Sequence, residues 1–64
     1  TEELEIARKH FIEALSIYEK QVAEAPMDYA TVSSNYAEFL RSTGDEKAAL
    51  NVEKRAGKKL KKVS

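Results

Sequence analysis

The sequence feature that most constrains the fold is a Thr-Gly-Asp break between two segments of helical pattern. Apolar residues at helical spacing run up to Thr43, and a second helical pattern begins directly after Asp45. Gly44 can adopt the left-handed conformation that ends a helix, and Asp45 is a good N-cap for the next one. Two helices joined by so short a link fold back on each other. Residues 35–56 therefore predict an antiparallel helix pair.

The size and composition of the chain predict one small all-α domain over residues 1–64. About a third of the residues are charged, and there are only two glycines and one proline, which is typical of a helical protein. A chain this short buries only about 60% of its unfolded surface, so we expect a marginal core. The absence of cysteine excludes disulfides and fits a reducing compartment such as the cytoplasm. No apolar run approaches the ~20 residues of a membrane span.

Apolar periodicity predicts three helices, at about residues 2–25, 29–43 and 46–63. Pro26 is expected to end the first helix, because it lacks an amide hydrogen and disfavours helical geometry at Ala25. Asp28 is the expected N-cap of the second helix. The predicted buried stripes consist of Leu4, Ala7, Phe11, Ala14, Leu15, Tyr18, Val22 and Ala25; Tyr29, Val32, Tyr36, Phe39 and Leu40; and Ala48, Ala49, Val52, Ala56, Leu60 and Val63.

The first predicted helix carries apolar residues outside its main stripe. Ile6 and Ile17 fall on a different side, and Ile12 lies at the edge of the stripe. A helix with two apolar sides needs a neighbour on each side to bury them. The chain also does not start with Met. We therefore expect either a missing upstream segment or self-association through Ile6, Ile12 and Ile17. The alternative is a tolerated exposed patch, since scattered surface apolar residues are common.

The net charge is zero, but the charges are unevenly distributed. Acidic residues are concentrated at the start of the first helix and lysines at the end of the third, where both favour the helix dipole. The simplest interpretation is therefore a solvated helix end. The alternative is a phosphate-binding helix that contacts nucleic acid or anionic lipid through Lys54, Arg55, Lys58, Lys59, Lys61 and Lys62. The absence of interleaved aromatic residues argues against base stacking.

The nitrogen and sulfur side chains that bind zinc are scarce. His10 is the only histidine and there is no cysteine, so a zinc site from nitrogen and sulfur ligands is excluded. Gly44 and Gly57 stand alone and form no glycine-rich phosphate loop. No Ser, His and Asp set suggests a catalytic triad. We predict that the chain is not an enzyme and binds neither metal nor cofactor.

The chain contains a weak internal repeat. Ala7, Ala14 and Lys20 recur as Ala49, Ala56 and Lys62, a shift of 42 residues. A period of this size with two helices is typical of stacked-repeat proteins. Residues 28–56 and 7–21 resemble the tetratricopeptide repeat, in the roughly 42-residue variety found in kinesin light chains. The resemblance covers about one and a half repeats, and it implies an antiparallel three-helix unit of an α-solenoid.

Particular residues match the positions of that family. Ala37 matches the small position of helix A, and Gly44 and Asp45 match the turn. Ala49 and Ala56 match the two small positions of helix B, and Phe11 the aromatic position of the preceding helix B. The departures are Glu53, in place of a large apolar residue, together with Gly57 and Lys59. They suggest the C-terminal end of a longer repeat array.

The resemblance implies a peptide-binding face on the second helix, because the family's A helices line a concave groove. Asn35 is the best candidate, since a groove asparagine can donate to and accept from a peptide backbone. Arg41 is a candidate partner for a ligand carboxylate. The remaining members of the predicted face are Thr31, Ser34, Glu38 and Ser42. We therefore predict a non-enzymatic protein–protein interaction module. The alternatives are a solvated polar face, a homodimer through the first helix, and the phosphate-binding basic helix.

Overall fold

The computed structural model describes residues 2–63, which fold into three α-helices. Helix α1 spans Glu2–Lys20, α2 spans Pro26–Ser42 and α3 spans Glu46–Val63. The described residues contain no β-strand. The all-α class is therefore confirmed, and α3 has the predicted bounds.

The boundary between α1 and α2 differs from the prediction. Helix α1 ends at Lys20 rather than near Ala25, and residues 21–24 form a turn in which the amides of Glu24 and Ala25 donate to the Gln21 carbonyl. Pro26 does exclude Ala25 from helical geometry (φ −137°, ψ 61°), but it then opens α2 as its first residue. The fixed φ of proline suits a first helical turn. Amides in that turn have no acceptor within the helix, so the missing amide hydrogen costs no hydrogen bond. Asp28 consequently lies inside the first turn of α2 and is not its N-cap.

The turn between α2 and α3 has the predicted chemistry. Gly44 has a φ of +88°, its amide donates to the Arg41 carbonyl, and the Asp45 amide donates to the Leu40 carbonyl at 2.8 Å. These two bonds form a Schellman motif that satisfies carbonyls at the end of α2. The Asp45 carboxylate then accepts from the Ala48 amide at 3.2 Å, which caps α3. Residues 43–45 therefore hold the end of α2 against the start of α3.

The two glycines predict stability changes of opposite sign. A β-carbon at either position meets no atom within 4 Å, so only backbone geometry decides the effect. Gly44→Ala forces alanine into the left-handed region and should lower the unfolding free energy by about 1 kcal/mol. Gly57→Ala, inside α3, should raise it by about 1 kcal/mol. Urea unfolding followed by circular dichroism measures both variants. Two changes of the same sign would contradict this assignment of the turn.

The core lies between α2 and α3. Tyr29 and Leu40 are each 1% exposed, and Ala37 of α2 and Ala49 of α3 are fully buried. Leu40, Tyr36, Ala37 and Ala49 form one apolar cluster, against which Phe39, Ala48 and Val52 pack. Small residues at the centre of both helices permit close approach of the two backbones. As predicted, α3 therefore packs through small side chains rather than through bulk.

Helix α1 is attached less tightly than the other two. None of its residues is fully buried, and its main anchor is Phe11, whose ring stacks on Tyr36 at 5.3 Å and lies 5.3 Å from the Phe39 ring. Leu15 also packs against the core, whereas Leu4, predicted for the buried stripe, is 44% exposed. The isoleucines outside the stripe are all more than half exposed: Ile6 53%, Ile12 51% and Ile17 56%.

Candidate interaction site

An open groove lies between α1 and α2. The groove has a volume of ≈ 370 Å³ and is lined mainly by apolar side chains. The lining residues are Ala7, His10, Phe11 and Ala14 of α1, and Val32 and Asn35 of α2. The groove exists because the two alanines are too small to fill the space beside Phe11. Its polar groups are the exposed side chains of His10 and Asn35, one on each helix.

The internal repeat helps to explain why this groove is open. Ala49 and Ala56, the counterparts of Ala7 and Ala14, are buried in the fold, with exposures of 0% and 7%. Ala7 and Ala14 are only half-buried and face the groove. The second copy of the pattern therefore has a packed neighbour over its alanines, whereas the first copy has an open surface.

The predicted polar face of α2 is exposed, and Asn35 is the member of it that lines the groove. Asn35 borders the groove, and Thr31, Glu38 and Ser42 lie four, three and seven residues from it, on the same side of α2. The Ser42 hydroxyl donates to the Phe39 carbonyl at 2.7 Å, within its own helix. Ser34 is exposed and does not line the groove. Asn35 is thus the predicted residue that combines exposure with an apolar surface beside it.

Arg41 faces α3 rather than the groove. Its Nε donates to Glu46 at 2.6 Å, and its two terminal nitrogens donate to the two carboxylate oxygens of Glu53 at 2.9 and 2.7 Å. These bonds lower the pKa of the Glu53 carboxyl and raise the pKa of Arg41 further above its usual value. A ligand carboxylate would have to displace both glutamates. The pairing also gives a structural role to Glu53, which joins α3 to the end of α2.

A second ion pair joins α1 to α3. Arg55 donates to both carboxylate oxygens of Glu19 at 2.9 and 2.8 Å, and the Lys59 ammonium lies 3.9 Å from the same carboxylate. Burial, followed by the negative charge of Glu19, raises the pKa of the Tyr29 hydroxyl beside this pair. The side chains of Arg55 and Lys59 are thus directed toward α1. The sequence analysis had grouped both with the cations of a possible phosphate-binding helix.

The groove offers apolar contact and hydrogen bonding. Within residues 2–63, no group of three or more His, Cys, Asp or Glu side chains is placed to hold a metal ion. In the same range, no helix has the length and apolar character needed to cross a membrane.

Sequence reasoning missed His10 as a groove residue and placed Ala7 and Ala14 in the buried stripe, whereas both border the groove. Phe11 borders the groove too, but it packs against the core as predicted. The sequence did contain a signal for the groove. The small residues of α3 are repeated in α1, but α2 is the single helix between them and it packs on those of α3, so those of α1 lack an equivalent neighbour. Comparisons of the chain with family models, curated proteins and solved structures find no match. The case for function consequently depends on the residues and their geometry.

Proposed function

We propose that this chain is a non-enzymatic protein-interaction module that binds a partner peptide in the groove between α1 and α2. We further propose that its three helices form an antiparallel, tetratricopeptide-like unit of about one and a half repeats. Three features support the second proposal: the Schellman turn at Gly44, the buried small residues Ala37 and Ala49, and the recurrence of Ala7 and Ala14 after 42 residues.

The observation that carries the proposal is the position of Asn35 at the edge of an apolar groove. An exposed amide can donate to and accept from a peptide backbone at the same time. The groove beside it can receive an apolar side chain of that peptide, on the surface formed by Phe11, Val32 and the two alanines. Binding sites combine these elements in general: apolar contact supplies affinity, and a few polar groups fix orientation.

The proposal predicts that Asn35→Ala weakens peptide binding without loss of helix. Asn35 is exposed and alanine favours helix, so the circular dichroism of the variant should match that of the parent chain. The probe is a random linear peptide selected on the chain from a phage-displayed library. The affinity of Asn35→Ala for this peptide, measured by fluorescence anisotropy, should be about tenfold lower than that of the parent chain. This is the change expected when one or two hydrogen bonds are lost. Ser34→Ala, away from the groove, is the matched control and should change affinity less than twofold. Selected peptides that bind parent and Asn35→Ala equally would overturn the groove assignment.

The exposed isoleucines favour self-association as a second candidate. Ile6 and Ile17 lie four and seven residues from His10, on its side of α1, and both are more than half exposed. Two copies that covered these residues would remove apolar surface from water. Sedimentation at micromolar concentration decides between the candidates, because a strictly monomeric chain excludes a homodimer of that strength.

A further inference from the structure

A continuous row of lysines follows the face of α3 that points away from α2. Lys47, Lys54, Lys58 and Lys62 are separated by seven, four and four residues, and Asn51 fills the gap between the first two. All five side chains are exposed, and the alanines that contact α2 lie on the other side of the helix. The row therefore belongs to a surface that the fold leaves open, and Lys61 lies beside it.

The acidic side chains of α3 are engaged elsewhere. Arg41 holds both Glu46 and Glu53, and the Asp45 carboxylate caps the helix through the Ala48 amide. On the α1 side, the Glu19 carboxylate is held by Arg55. Both glutamates of α3 are thus paired with Arg41, so neither of them is free to cancel the positive charge of the row.

Helix-end electrostatics does not explain the row. Cations near a helix C-terminus are favourable, which is a sufficient reason for Lys62 alone. Lys54 lies mid-helix, outside the range of the dipole effect, and Lys47 lies in the first turn, where the dipole opposes a cation. Four cations lie along one face, and three of them are outside the last turn, which indicates a role outside the helix itself.

We propose that this face of α3 binds the phosphate backbone of duplex nucleic acid without regard to base sequence. At 1.5 Å per residue the row is about 22 Å long, which spans about 13 phosphates of a duplex at one per 1.7 Å. The described face contains no aromatic side chain for base stacking, and stacking is what single-strand binders use. Lysine acts on phosphate as a point charge, so the contacts position the helix and do not read bases.

An anionic membrane surface is the less suitable partner. A helix that lies in a membrane interface inserts an apolar face, and the apolar face of α3 is packed on α2 through Ala48, Ala49 and Val52.

The test is a titration of the chain into a fluorescein-labelled DNA duplex of about 20 base pairs at two salt concentrations. If four lysines contact phosphates, affinity should fall about 150-fold between 50 and 200 mM salt. The triple variant Lys47→Gln, Lys54→Gln, Lys58→Gln should bind at least about tenfold more weakly at 50 mM salt. Its affinity should then vary only about threefold over the same salt range, since one contact remains. The matched control is Arg8→Gln, Lys9→Gln, Lys20→Gln, which removes the same charge from exposed positions of α1 and should retain most of the binding.

Three outcomes would overturn the proposal: no binding of the parent chain at 50 mM salt, equal losses in the two triple variants, or binding to vesicles containing phosphatidylserine with none to the duplex. Circular dichroism of both variants shows that each loss of binding occurs in a folded chain. The peptide groove is on the other side of α2, so the Asn35→Ala variant should bind the duplex as the parent does.

Discussion

Replacing Leu40 by alanine is expected to lower the unfolding free energy by about 3 kcal/mol, within the range of about 2–5 kcal/mol for buried leucines. Leu40 is 1% exposed and belongs to the cluster that joins α2 to α3 through Ala37 and Ala49. A cavity at this position removes contacts from both helices at once. A small domain of this size has about 3–5 kcal/mol of stability in total. This leaves about 0–2 kcal/mol. The Leu40→Ala chain should therefore unfold at a much lower urea concentration than the parent chain, as followed by circular dichroism.

Leu50→Ala is the matched control for this prediction. Leu50 lies in α3 and is 49% exposed, so the same substitution removes little buried area and slightly improves helix propensity. The unfolding free energy should change by less than about 0.5 kcal/mol. Urea unfolding measures both variants. Similar losses for Leu40→Ala and Leu50→Ala would mean that α2 and α3 do not pack in the register described.

Local chemistry explains which parts of the fold were predictable. Gly44 and Asp45 act within their own turn, through φ and a cap that depend on adjacent residues, and the bounds of α3 followed from them. Pro26 was ambiguous because proline both stops a helix before it and starts one after it. In the fold Pro26 starts α2, and Tyr29 in the first turn of that helix is buried. The burial of Tyr29 depends on the packing of the helices and cannot be read from residues 21–28.

The candidate site was predictable only in part, for a related reason. The exposure of Asn35 follows from the period of α2, so its place on an open face was accessible from sequence. The partners of Arg41 and Arg55 were not, because Glu53 and Glu19 come within reach only after the helices pack. The lysines of α3 could be seen in the sequence. The structure adds that Arg55 and Lys59 contact Glu19 of α1, which distinguishes them from the exposed lysines of the row.

The internal repeat provides the sharpest test of the groove, since equivalent alanines occupy opposite environments. Ala49→Leu should lower the unfolding free energy by about 1–3 kcal/mol, because a larger side chain at a fully buried contact forces α2 and α3 apart. Ala7→Leu, at the matching position of α1, adds the same atoms to an open groove and should leave stability within about 0.5 kcal/mol. Urea unfolding followed by circular dichroism compares the two variants.

The Ala7→Leu variant also separates stability from binding. Its new side chain occupies the apolar space beside Phe11 and Asn35, so a peptide selected on the parent chain should bind it at least about tenfold more weakly. A stable Ala7→Leu chain that still binds such a peptide would exclude the groove as the binding site, whatever its effect on unfolding. An Ala7→Leu chain as destabilised as Ala49→Leu would instead show that α1 is covered in solution. Since the fold leaves that face of α1 open, covering it requires a second molecule, and the loss of stability should then depend on protein concentration.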